Sequence, residues 1–140
     1  MNVHGIAYRP FQVVPRVHFA SDSGAVSQEN SDLRVFRHHI YEYKKGLRDL
    51  VLTTEKNQYR DIIENRLQKE EIPYLIRSAG GRTINVFFGD EDCIKVVKTF
   101  DEKLNKLSPE QDFMLGAMLG YDKLQQCRRY LQKLAASIQN

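Results

Sequence analysis

Hydrophobic positions along this chain change their spacing several times, and each change marks an element. Ile72, Tyr74 and Ile76 recur at every second position, and Ile84, Val86 and Phe88 do so again, the period of a β-strand. Between them Ala79-Gly80-Gly81-Arg82 predicts a hairpin, because paired glycines accept the positive φ of a tight turn. Pro73 has no amide donor, which puts the start of the first of these strands at a sheet edge or end. The run Thr83 to Phe88, richer in branched and aromatic residues, suits the sheet interior. Gly89-Asp90-Glu91-Asp92 then sets acids where a helix N-terminus is partly positive, predicting a capped helix start.

The flanking segments read mainly as helices. Phe36, Ile40, Tyr43 and Leu47 share one helical face, with Ser31 or Asp32 as the cap and Gly46 as the stop. Leu50 to Thr54 reads as a short buried strand, and Tyr59, Ile62, Ile63, Arg66 and Leu67 as the stripe of a second helix that ends before Pro73. After the hairpin, Ile94, Val97, Phe100, Leu104 and Leu107 predict a third helix. Ser108-Pro109-Glu110-Gln111 is a capping box that opens a short helix over Phe113 to Leu119. Gly120-Tyr121-Asp122 bends the chain into a last helix whose stripe is Leu124, Cys127, Leu131, Leu134 and Ile138, serving as a core face or a subunit contact. Met1 to Asn30 has no period and is expected to be a flexible N-terminal extension, with Val13, Val14, Val17 and Phe19 able to dock as a short strand. Residues 31–140 are expected to form a single α+β domain.

The expected order is α-β-α-β-β-α-α-α, a small mixed three-stranded sheet packed with about five helices. The first two strands run in the same direction across a right-handed connection, and the apolar third strand lies between them. Three C-terminal helices would cover only part of such a sheet, so a homodimer that buries the rest is expected.

Composition narrows the class. A chain of 140 residues, 41% hydrophobic and 28% charged, is of ordinary globular make-up and single-domain size. No apolar run approaches the ~20 residues of a membrane helix. Arg9 and Arg16 give the N-terminus a faint transit-peptide character, but Pro10 and Pro15 interrupt any amphipathic helix, so the expected location is cytoplasmic. The net charge of +3 is spread along the chain rather than concentrated, which disfavours a nucleic-acid footprint. Cys93 and Cys127 are too few for a disulfide scaffold and too far apart for a Cys-x-x-C site.

The candidate chemistry is sparse. His38-His39 are neighbours on a helix and point ~100° apart, so a single metal cannot take both without ligands from another element. They read first as structural residues, and no metal or cofactor is expected. His38, His39 and Tyr41, joined by Asp90 or Asp92 from the hairpin end, form an alternative ligand or enzyme site if they converge on a pocket. Cys93 lies at a helix start among Asp90, Glu91 and Asp92, which oppose its ionisation and make it a poor nucleophile. Cys127, on the last stripe, is expected to be packed. The same acids disfavour a phosphate at Gly89-Asp90. Lys44, Lys45 and Arg48 cluster beside Tyr41 and Tyr43 near the end of the first helix. They are either a solvated helix terminus or a docking patch for an acidic protein. Arg128-Arg129 is a second small basic spot.

The run Val35-Phe36-Arg37-His38-His39-Ile40-Tyr41-Glu42-Tyr43-Lys44-Lys45-Gly46-Leu47-Arg48, with Asn85-Val86-Phe87-Phe88-Gly89-Asp90, Leu119-Gly120-Tyr121-Asp122 and Gln126-Cys127, resembles a small bacterial family catalogued as a domain of unknown function. The resemblance covers roughly residues 33 to 133. It implies a three-stranded sheet with about five helices and a dimer, and a link to flavodoxin, whose genes are found beside those of the family. It supplies no catalytic residue. The expectation is therefore a non-enzymatic accessory or adaptor protein, dimeric, docking on an acidic redox partner such as flavodoxin.

Overall fold

The computed structural model describes residues 24–139. In chain order the elements are α1 (Gly24–Asp32), α2 (Arg34–Lys44), β1 (Leu50–Lys56), a 3-10 turn (Asn57–Tyr59) and α3 (Arg60–Lys69). There follow β2 (Tyr74–Ser78), β3 (Thr83–Gly89), α4 (Glu91–Lys98), a second 3-10 turn (Leu104–Lys106), α5 (Pro109–Met118) and α6 (Lys123–Gln139).

The sheet order is β1-β3-β2, which places the most apolar strand in the middle as its composition predicts. Val51 pairs with Phe88 and Tyr74 pairs with the same Phe88 from the other side, and both ladders are antiparallel. β1 and β2 therefore run in the same direction without touching, so no parallel pair exists in this sheet. The fold is α+β, as expected.

Alternation along the strands divides the core in two. One face sends Val51, Ile84, Val86 and Phe88 against Leu33, Phe36, Ile40, Tyr59, Ile63 and Leu67 of the α2 and α3 side. The Phe36 and Phe88 rings meet edge to face, with centroids 5.9 Å apart. The other face sends Leu50 and Phe87 against Ile94, Val97, Phe100, Leu115 and Leu119. Each fully buried side chain of this kind contributes about 1.5–3 kcal/mol. Three layers result, with helices on both sides of the sheet.

Local signals were answered where their partners are near in sequence. Gly80 and Gly81 take φ of +92° and +58° in the hairpin. Asp90 Oδ1 accepts the Asp92 amide at 2.8 Å and caps α4. Ser108 and Gln111 exchange both bonds of a capping box, although α5 begins at Pro109, earlier than the expected Phe113. Gly46, at φ +79°, ends α2 with its amide donating to Tyr43 O while the Leu47 amide donates to Glu42 O, the paired bonds of a Schellman stop. Gly89 is required by a close approach, since a Cβ there would collide with the Asp49 carbonyl oxygen and lie 2.9 Å from Leu50 Cα.

Several expectations are corrected. Ser27 to Asn30, read as loop, is helical and belongs to α1. Neither Ser31 nor Asp32 caps α2, whose N-cap is Leu33 with no side-chain bond, because Asp32 turns its carboxylate to Lys56 and Tyr59 instead. Ile62 falls outside the buried stripe of α3 and is exposed. The helix expected from Ile94 to Leu107 stops at Lys98. Its last carbonyls are taken by Arg77 from β2, whose Nη1 donates to Phe100 O at 2.9 Å and whose Nη2 donates to Lys98 O at 3.3 Å. Cys127 is exposed rather than packed, with Leu124, Leu131 and Ile138 beside it. The expected strand at Val13, Val14, Val17 and Phe19, and the extension over residues 1–23, lie outside the described residues.

Candidate functional site

The residues nominated as a docking patch sit on and just after α2, and the helix deals them onto different sides. Tyr41, Lys44 and Lys45 face outward together, at the spacing of three and four that shares one helical face. With Arg37, Ile40 and, from α3, Arg66, they line a shallow groove of about 380 Å³. Tyr41 is 54% exposed, with the Lys45 ammonium 5.4 Å from its ring centre on one hand and the His38 ring stacked 5.9 Å away on the other. Glu70 is the acid that answers this face. Its Oε1 pairs with Lys44 Nζ and its Oε2 accepts Arg66 Nε at 2.9 Å, and these two bonds hold its carboxyl below the usual range. Four cations thus surround one tyrosine with a single carboxylate among them.

Tyr43 and Arg48 are elsewhere. Tyr43 turns inward, its ring edge-on to Phe88 at 6.4 Å, and burial followed by the nearby Asp90 and Asp49 pushes its hydroxyl up. Arg48 is mostly buried and donates Nε to Glu42 Oε1 at 2.9 Å.

Glu42 also organises the two histidines. His39, 3% exposed, has Nδ1 at 3.0 Å from Glu42 Oε1, and His38 has Nε2 at 3.5 Å from Glu42 Oε2. Burial pushes the His39 imidazole below its ordinary value, against the pull of Glu42. Burial also opposes ionisation of Glu42, yet the His39 bond and the Arg48 charge outweigh it and hold the carboxyl low. The result is a neutral-leaning imidazole on a carboxylate, shut away from solvent. Asp90 and Asp92 sit on another element, where the Asp90 carboxylate is spent on the α4 cap. A second, larger groove of about 680 Å³ runs between the sheet and the α5–α6 pair, over Leu52, Leu104, Leu107 and Leu115 and under Gln126 and Arg129. Neither groove is lined by His38, His39, Asp90 or Asp92. Among the described residues no group of three or more His, Cys, Asp or Glu is arranged to hold a metal ion. Cys93 is half-buried, and burial together with Asp90, Asp49 and Asp92 pushes its thiol up, as the acids around it predict.

Arg37, Arg66 and Glu70 were missed as members of the outward face. Arg37 had a readable signal, since it lies four residues before Tyr41 and seven before Lys44 on the same helix. Arg66 and Glu70 reach the face only through the packing of α3 beside α2.

Layered helices about a small antiparallel sheet define a small α+β protein. No described helix is long and apolar enough to cross a membrane. The chain belongs to the family described as a protein of unknown function (DUF2023), whose model matches residues 34–133. Among curated proteins none matches the chain.

Proposed function

We propose that the protein is a non-enzymatic adaptor of the cytoplasm, working as two copies, that docks on an acidic redox partner such as flavodoxin. The observation that carries this reading is the outward face of α2, where Arg37, Lys44, Lys45 and Arg66 border the exposed Tyr41 with Glu70 as the counter-charge. A mixed aromatic and cationic face of this kind raises association rate and selectivity toward an acidic surface. Flavodoxin is the partner of choice because a link to it is what the resemblance of the sequence to the family implies. The bond from Glu70 to Lys44 is exposed on the lysine side, so a stronger acidic surface can exchange for it at small cost.

The test is titration of a flavodoxin against the immobilised protein at low and high salt. Binding should weaken as salt screens the face. Lys44→Glu combined with Lys45→Glu should weaken it by about tenfold or more, because two reversals cost at least the ~1.4 kcal/mol that a factor of ten represents. The thermal unfolding curve should stay in place. Unchanged affinity in that variant would remove the α2 face from the interface.

A further inference from the structure

The groove between the sheet and the α5–α6 pair sets leucines against amides. Its floor is Leu52 of β1, Leu115 of α5, and Leu104 and Leu107 from the second 3-10 turn and its end. Leu52, Leu104 and Leu107 are half-buried there. The opposite wall is α6, where Gln125, Arg129 and Gln132 follow at spacings of four and three along one helical face. The leucines of α6 at positions 124 and 131 are exposed instead. A helix that merely closed the core would turn its apolar stripe to it. The most buried residue of this wall is Gln126, 6% exposed. Gly116 of α5 makes room for it, since a Cβ there would collide with the Gln126 amide. That amide makes no hydrogen bond among the described residues, although an amide buried to this degree ordinarily has a partner.

We propose that this groove binds an amphipathic monocarboxylate, its hydrocarbon chain on the leucines and its carboxylate among Gln126, Arg128 and Gln132. The inference is independent of the α2 face, with which the groove shares no residue. The charges of the lining select an anion. Asp112 is spent, because its two oxygens accept Arg129 Nε at 2.7 Å and Nη2 at 3.1 Å. Asp122 stands just before α6, where its Oδ2 accepts the Gln125 amide at 2.9 Å and the partly positive helix start answers its charge. Of the charged residues in the lining, Arg128 is left without an opposite charge among the described residues. Its guanidinium only donates, and with the Nε2 groups of Gln126 and Gln132 it makes a set of donors suited to a carboxylate. The half-buried leucines would lose their remaining water beneath the chain, which favours binding. The volume of about 680 Å³ falls within the roughly 300–1,000 Å³ of small-molecule sites.

Decanoate is the probe and decanol its uncharged counterpart, each titrated against the full chain by calorimetry and followed by amide NMR. Decanoate should saturate a single site, bind about tenfold more tightly than decanol, and shift the amides of Leu107, Gly116 and Gln126. Arg128→Gln, at an exposed residue, should keep the fold and weaken decanoate about tenfold while leaving decanol unchanged. Gln126→Glu sets a carboxylate of the same shape against Gly116 and should abolish decanoate binding. Should that variant fail to fold, Arg128→Gln still decides. Leu131→Gln, on the outward side of α6, should bind decanoate as the natural chain does. Absence of decanoate binding below its micelle range would overturn the proposal. So would equal affinity for decanoate and decanol, or an Arg128→Gln variant that binds decanoate undiminished. Loss of binding in Leu131→Gln would overturn it by placing the ligand on the outer side of α6.

Discussion

Glu71 shows how much a single backbone position can hold in reserve. It closes α3 as Gly46 closes α2, with its amide donating to Gln68 O and the next amide, Ile72, donating to Leu67 O. Unlike Gly46 it carries a side chain, and at φ +58° it is the one non-glycine residue in the left-handed region among the described residues. An L-residue there costs about 1–2 kcal/mol, part of which glycine returns through its freer unfolded chain. Glu71→Gly should accordingly stabilise the fold by roughly 0.5–1 kcal/mol in urea unfolding, whereas Glu71→Ala should give no such gain. Glu55, buried on β1, offers a reserve of a different kind. Burial pushes its carboxyl up and Asp32 adds to this, against the Thr53 hydroxyl that donates to Oε2 at 2.6 Å. A carboxyl whose folded pKa lies above its unfolded value of about 4.3 stabilises fully below that value and loses the contribution as pH rises through the folded pKa. Glu55→Gln removes this loss. Its stability relative to the natural chain should climb between mildly acidic and neutral pH, and urea midpoints that show the opposite trend would refute the account.

At the scale of elements, the difference between what the sequence announces and what it hides is one of distance along the chain. The Ser108–Gln111 box, the Asp90 cap, the glycine stops and the Gly80-Gly81 hairpin all join residues a few positions apart, and each was readable. So was the grouping of Tyr41, Lys44 and Lys45, because one helix supplies them. The end of α4 was hidden. Phe100 and Leu107 keep the helical period and stay in the core cluster although the chain has left the helix, so periodicity alone runs past Lys98. The residue that stops it, Arg77, arrives from β2. It donates to carbonyls of Val97, Lys98, Phe100 and Asp101 and serves as a cap supplied by another strand. Tyr43 likewise left the outward face because consecutive helical positions turn by ~100°, and Arg48 because it lies beyond the Gly46 stop and reaches back to Glu42. Hydrogen bonds made by a charged donor are worth about 1.5–3 kcal/mol. Arg77→Ala should cost an amount near the lower end of that range, given three contacts longer than 3.2 Å, with Arg77→Lys recovering part of it. Faster amide exchange confined to α4 and the turn after it would place the loss where the bonds are.

At the scale of the whole molecule, the least expected connection is the one that fastens α1 to the domain. Most of residues 27–32 are exposed, and the segment lacks the apolar period that would announce a helix. What holds its end is Leu33, buried in the core beside Phe36, together with the Asp32 carboxylate. Oδ2 of Asp32 accepts the Tyr59 hydroxyl at 2.7 Å and Lys56 Nζ at 2.9 Å, while Oδ1 accepts Gln28 Nε2 at 2.8 Å. One side chain thus joins α1, the end of β1 and the turn before α3, which lie 24 and 27 residues further along the chain. These bonds, the Tyr59 hydroxyl first, lower its pKa to about 2. The sign follows from linkage. A carboxyl held below its unfolded value of about 3.9 contributes fully above that value and loses the contribution as pH falls through the folded pKa. Asp32→Asn should therefore unfold more easily than the natural chain at neutral pH, and the gap should close as the pH is lowered through the range between 4 and about 2. Tyr59→Phe should reproduce part of the neutral-pH loss. In both variants, amides of residues 27–33 should exchange faster than those of β3, because the clasp and not the core secures that helix. A gap that stayed constant down to the lowest pH would mean that Asp32 acts through its shape alone and that its charge does not hold α1 in place.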